Sequence, residues 1–99
     1  MLKAQIFIDQ DELVGDKALY EFIMEFLIDQ NIKGATMFRG RLGYGEGQHL
    51  KRPNDLFSFD ETPIMITFID EENKIRDTLT ELRKTVKSGF IITQHVDIW

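Results

Sequence analysis

Apolar residues recur with helical spacing twice in this chain, at Leu19, Phe22, Ile23, Phe26 and Leu27 and again at Ile75, Leu79, Leu82 and Val86. Strand-type alternation flanks each of these stretches on both sides. Few folds bury two helical stripes together with the alternating segments around them. In the first segment, Leu2, Ala4, Ile6 and Ile8 share one face, and Lys3, Gln5, Phe7 and Asp9 share the other. Asp16 is placed to cap the first helix, which the spacing carries to about Gln30. Asn31 and Gly34 then supply residues that tolerate the left-handed conformation at a helix exit. A second strand is expected from Ala35 to Leu42, a loop from Gly43 to Glu61 and a third strand from Pro63 to Asp70. The acids Asp70, Glu71 and Glu72 suit the start of the second helix, and Lys84 and Lys87 suit its end. Ser88 and Gly89 stop that helix, and Phe90 to Trp99 reads as a fourth strand.

The order strand, helix, strand, strand, helix, strand is that of an α+β, ferredoxin-like βαββαβ fold, a single domain over residues 1–99. Right-handed crossovers would lay both helices on one face of a four-stranded antiparallel sheet. The other face would present Phe7, Met37 and Met65 or their strand neighbours, an apolar surface of the kind that another chain covers.

Composition narrows the chemistry. Cysteine is absent, which excludes disulfides, thiolate metal sites and thiol nucleophiles and suits a reducing compartment. The opening residues lack a basic start followed by an apolar core, and the apolar runs are too short to cross a bilayer, so a cytoplasmic location without membrane insertion is expected. A net charge of −5 argues against nucleic acid as a partner. From Lys33 to Arg52, however, five basic residues face one acid, Glu46, so an anion would prefer this stretch.

Asp9, Asp11, Glu12 and Asp16 cluster where a strand meets a helix, but their spacing misses a calcium loop, and helix entry is the simpler role. His49 and His95 define no metal site or catalytic pair, and Ser58 and Ser88 lack any nucleophile motif. Neither catalytic residues nor a cofactor are expected. The run from Arg39 to His49 is different. Its glycines admit close approach of backbone amides to an anion, Arg39 and Arg41 share a strand face by period two and can grip phosphate or carboxylate, and Tyr44 can stack on a base.

Lys33 to Gly40, then Gly43-Tyr44-Gly45, His49, Thr62 to Ile66 and Gly89 to Thr93 resemble the PII-like family catalogued as domain of unknown function 190. The resemblance spans nearly the whole chain. It implies a homotrimer of ferredoxin-like domains that acts by binding rather than catalysis. An adenine nucleotide or similar small anion would lie in clefts between subunits, and a mobile loop, here Gly43 to Glu61, would contact a regulated protein partner. The implied ligand residues are Arg39, Gly40, Arg41, Gly43, Tyr44, Gly45, His49, Lys87, Gly89 and Phe90. One departure is plain: the glycine-rich, lysine-bearing turn that holds phosphates after the second helix of PII proteins is replaced by Ser88-Gly89-Phe90-Ile91. A ligand with few phosphates fits that change. Two alternatives share the fold, a CutA-like metal-tolerance protein and an acylphosphatase-type enzyme, but the latter needs a phosphate-cradling loop where this chain has Asp9 to Asp16.

Overall fold

A computed structural model describes residues 1–41, 43–44 and 62–99. Strands β1 (Leu2–Asp9), β4 (Ala35–Arg39), β5 (Pro63–Asp70) and β6 (Phe90–His95) form one sheet in the order β4-β5-β1-β6. All three pairings are antiparallel. Helices α1 (Leu19–Asp29) and α2 (Glu72–Thr85) complete the βαββαβ pattern.

The core follows the alternation. Leu2, Ala4, Ile6 and Ile8 of β1 and Ile64, Ile66 and Phe68 of β5 are buried against Leu19, Ile23 and Leu27 of α1 and Ile75 and Leu82 of α2. Each helix buries the row of residues that falls on one side at successive turns. Phe22 and Phe26 flank the buried row of α1, half-buried, with their rings stacked at 6.3 Å. Among the described residues, no helix lies on the opposite face of the sheet. Phe7 and Met65 lie there as expected, but Met37 packs on the core and Phe38 takes the open face instead, because Met37 pairs with buried Ile66 and Phe38 with Met65.

Three boundaries differ from the sequence reading. Between β1 and α1 the chain makes a small hairpin, β2 (Leu13–Val14) paired with β3 (Lys17–Ala18), turned by Gly15 at φ 61°. The helix therefore begins at Leu19 with Ala18 at the cap position, and Asp16 sits in the hairpin turn rather than at the cap. Strand β4 stops at Arg39, and β6 stops at His95, beyond which Val96 N–H still donates to the Met1 carbonyl at 3.1 Å. The loop expected over Gly43–Glu61 lies, apart from Gly43 and Tyr44, outside the described residues.

Asp70 ties the two halves together. Its buried carboxylate accepts the Glu71 N–H at 2.8 Å and the Lys33 N–H at 3.3 Å, and Lys74 Nζ lies 3.4 Å away. Lys74 also donates to the carbonyl of Asn31, the residue that leaves α1 at φ 62°. Burial by itself would raise the Asp70 pKa, but the two backbone donors and the Lys74 ammonium outweigh it and hold the carboxyl below its ordinary value.

Candidate functional site

Register places one residue from each strand in a row across the open face. Phe38 lies opposite Met65, Met65 opposite Phe7, and Phe7 opposite Phe90. The Phe7 and Phe90 rings meet at 6.2 Å, tilted by 47°. The row floors a groove of about 930 Å³ at this end of the sheet. Its walls are the strand ends: Arg39, Gly40, Gly43 and Tyr44 on the β4 side, Pro63 and Ile64 on β5, Ile8, Asp9 and Glu12 around the exit of β1, and Gly89 at the entry to β6.

Two glycines are required here by space. Gly40 donates its N–H to the Pro63 carbonyl at 2.7 Å, and a Cβ at Gly40 would stand 2.7 Å from Pro63 Cγ, a rigid ring atom. Gly89 has φ 83°, and a Cβ there would meet Ile8 Cγ2 at 2.9 Å and the Phe7 carbonyl at 3.2 Å. Arg83 holds the turn that presents Gly89. One of its terminal nitrogens, Nη1, donates to the carbonyls of Ser88 at 2.7 Å and Val86 at 3.4 Å, and Nη2 donates to that of Gly89 at 3.1 Å. Among the described residues this is the cation that organises the turn after α2, and its donors are turned to backbone carbonyls.

The groove gathers six of the ten residues expected to bind ligand: Arg39, Gly40, Gly43, Tyr44, Gly89 and Phe90. Gly45 and His49 lie outside the described residues. Arg41 does not line the groove; β4 ends at Arg39, so the period-two argument that paired the arginines does not reach Arg41. Lys87 does not line it either, because its ammonium turns back to the Arg83 carbonyl at 2.6 Å. The sequence reading missed Phe7, Phe38 and Met65 as a floor and Glu12 as a wall. Strand alternation alone could have supplied Phe7 and Met65, whereas Phe38 required the register of β4.

Lys17, Asp70 and Glu72, whose pKa values are displaced, do not line the groove. The Arg76 guanidinium hydrogen-bonded to Glu72 holds that carboxyl below its ordinary value against a small effect of burial, and the Glu25 carboxylate raises Lys17. His95 sits at the far end of the sheet with Nδ1 3.8 Å from Glu72 Oε1, on the surface. Among the described residues no three His, Asp or Glu side chains converge as a metal site, and no helix is long and apolar enough to cross a membrane.

The family model DUF190, described as an uncharacterised ACR family, matches residues 1–98. The chain belongs to the DUF190 family. A UPF0166 protein of Aquifex aeolicus (strain VF5) is 32% identical over 95 residues, covering 95% of this chain and 89% of that protein. Among solved structures, this DUF190 protein is similar to CPII of Thiomonas intermedia K12, a nitrogen regulatory PII-like protein bound to ADP, AMP and bicarbonate. The TM-score is 0.70 at 20% identity, over 94% of this chain and 82% of CPII. It is also similar to CutA1 of Pyrococcus horikoshii, with a TM-score of 0.65 at 13% identity, over 100% of this chain and 86% of CutA1. At these identities the two structures share the fold with the DUF190 chain.

Proposed function

We propose that this DUF190 protein is a PII-like regulatory protein of the cytoplasm that works by binding, not by catalysis. Its groove takes a small anionic ligand, an adenine nucleotide with one or few phosphates, and its occupancy is read by a protein partner. The observation that carries the reading is the groove itself, where an aromatic row lies beside Arg39, Gly40 and Gly43. Flat apolar rings suit a base, and an arginine next to glycine backbone suits a phosphate. That CPII is bound to ADP, AMP and bicarbonate supports the choice of ligand class. The employment of Arg83 on carbonyls supports few phosphates, since the turn after α2 offers no other lining cation among the described residues.

The protein assembles as a homotrimer through the part of the open sheet face beyond the groove, where Ile69 and Ile92 are exposed on one chain. Light scattering should report about three times 11.6 kDa. Calorimetry with AMP and ADP tests the site: replacing Arg39 by Ala should weaken binding by roughly tenfold to a hundredfold, the loss of one or two charged hydrogen bonds. Binding that is unchanged in this variant would overturn the assignment. A titration with divalent copper and zinc, in which neither ion stabilises the fold more than AMP does, is the outcome that separates this reading from a CutA-like one.

A further inference from the structure

Arg39 and Glu12 line the same groove, carry opposite charges and do not meet. Among the described residues neither forms an ion pair. The sheet explains why they stay apart. Arg39 is opposite Ile64, and Ile64 is opposite Ile8, so the guanidinium springs from a strand two spacings, ~10 Å, from the one that leads into Glu12.

Glu12 is held in place rather than loose. Its N–H donates to the Asp9 carbonyl at 3.3 Å, its carbonyl accepts the Leu19 N–H at 2.8 Å, and its carboxylate Oε1 accepts the Asp9 N–H at 3.0 Å. The second oxygen, Oε2, has no hydrogen-bond partner among the described residues. The side chain is half-buried beside the apolar floor, where a carboxylate with an unused acceptor is more costly than in water. Asp9, on the same wall, already has an interaction of its own.

A groove lined by a cation from the edge strand and by a fixed carboxylate beyond β1 is complementary to a molecule that is itself polarised. We propose that Glu12 is a specificity-determining residue: its free oxygen accepts a hydrogen bond from an O–H or N–H donor at one end of the ligand, while Arg39 holds the anionic group at the other. The inference rests on the groove being the ligand site proposed above and deepens it. It excludes simple anions as the preferred ligand, because a phosphate or carboxylate alone would satisfy Arg39 and leave Glu12 unpaired. In a nucleotide the donor comes from the ribose hydroxyls or from the exocyclic amine of adenine.

Calorimetry with AMP, 2′-deoxy-AMP, inosine monophosphate and inorganic phosphate on the wild type and on Glu12→Gln tests this. The glutamine keeps an oxygen for the Asp9 N–H, so the turn and the melting temperature should be retained. AMP affinity should fall about tenfold in Glu12→Gln, the effect of replacing a charged acceptor by a neutral one, while phosphate binding should not fall. On the wild type, weaker binding of 2′-deoxy-AMP would assign the donor to the ribose, and weaker binding of inosine monophosphate would assign it to the amine. AMP binding that is equal in wild type and Glu12→Gln would overturn the role of Glu12 and leave the nucleotide site standing. Equal loss of AMP and phosphate affinity would also overturn it, since the effect would then be structural. If no nucleotide of the panel binds the wild type, the site reading falls and this inference falls with it.

Discussion

Replacing Gly89 by Ala perturbs the molecule in two ways at once. The backbone at Gly89 has φ 83°, where a side chain costs ~1–2 kcal/mol. The added methyl would also stand 2.9 Å from Ile8 Cγ2 and 3.2 Å from the Phe7 carbonyl, both in the central strand β1, and overpacking of this kind typically costs ~1–3 kcal/mol. Together the destabilisation is about 2–5 kcal/mol, a large part of the stability of a small domain. At ~4–8 °C per kcal/mol for a chain of this size, the melting temperature should fall by roughly 8–40 °C. The control is Gly34→Ala: Gly34 has no positive φ, and a Cβ there has nothing within 4 Å, so the variant should match the wild type or gain up to ~1 kcal/mol from a less flexible unfolded chain. Urea unfolding followed by circular dichroism reads both variants, with unchanged m-values as the check that only stability moved. A Gly89→Ala midpoint within 1 kcal/mol of the wild type would refute the reasoning, because neither the strain nor the clash could then be present.

Asp70→Asn should destabilise by about 2–4 kcal/mol at neutral pH, as the charged acceptor of two backbone N–H groups becomes neutral. The folded-state pKa of Asp70 is depressed, so its stabilisation is complete above the ordinary carboxylate range and disappears as pH falls through the lower, folded value. Acid titration of stability should therefore be less steep in Asp70→Asn than in the wild type, and parallel acid limbs would contradict the linkage. Arg83→Met should lose ~1–3 kcal/mol because the carbonyls of Ser88 and Gly89 lose their donors, and a midpoint indistinguishable from the wild type would show that water replaces the guanidinium at no cost. Ile92→Asp, which places a charge on the open sheet face beyond the groove, should reduce the proposed trimer to a folded monomer by light scattering, and wild-type mass in this variant would place the interface elsewhere.

The groove shows where reading the chain in one dimension succeeds and fails. Arg39, Gly40, Gly43 and Tyr44 are close in sequence, so residue types read along the chain group them, and the structure gathers all four on one groove. Glu12 was read as part of helix entry, and the structure supports that in part, since its carbonyl accepts the first N–H of α1. Its place on the groove wall follows the β2–β3 hairpin, which two-residue strands do not reveal through periodicity. Arg41 and Lys87, also expected at the ligand, do not line the groove: β4 ends at Arg39, so alternation no longer places Arg41, and Lys87 turns its ammonium back to the Arg83 carbonyl.

Read alone, the sequence was enough for the βαββαβ order of the main elements, though not for the β2–β3 hairpin, and for the inward faces of β1 and β5, because alternation and helical spacing are local properties of a chain that must hide its apolar side from water. Only the tertiary structure decided which strand lies beside which and in what register. That register aligns Phe38, Met65, Phe7 and Phe90, residues up to 83 positions apart in the chain, into one floor. A slip of one residue in any pairing would turn that strand's member of the row to the other face, so the groove floor exists only once all three pairings are set.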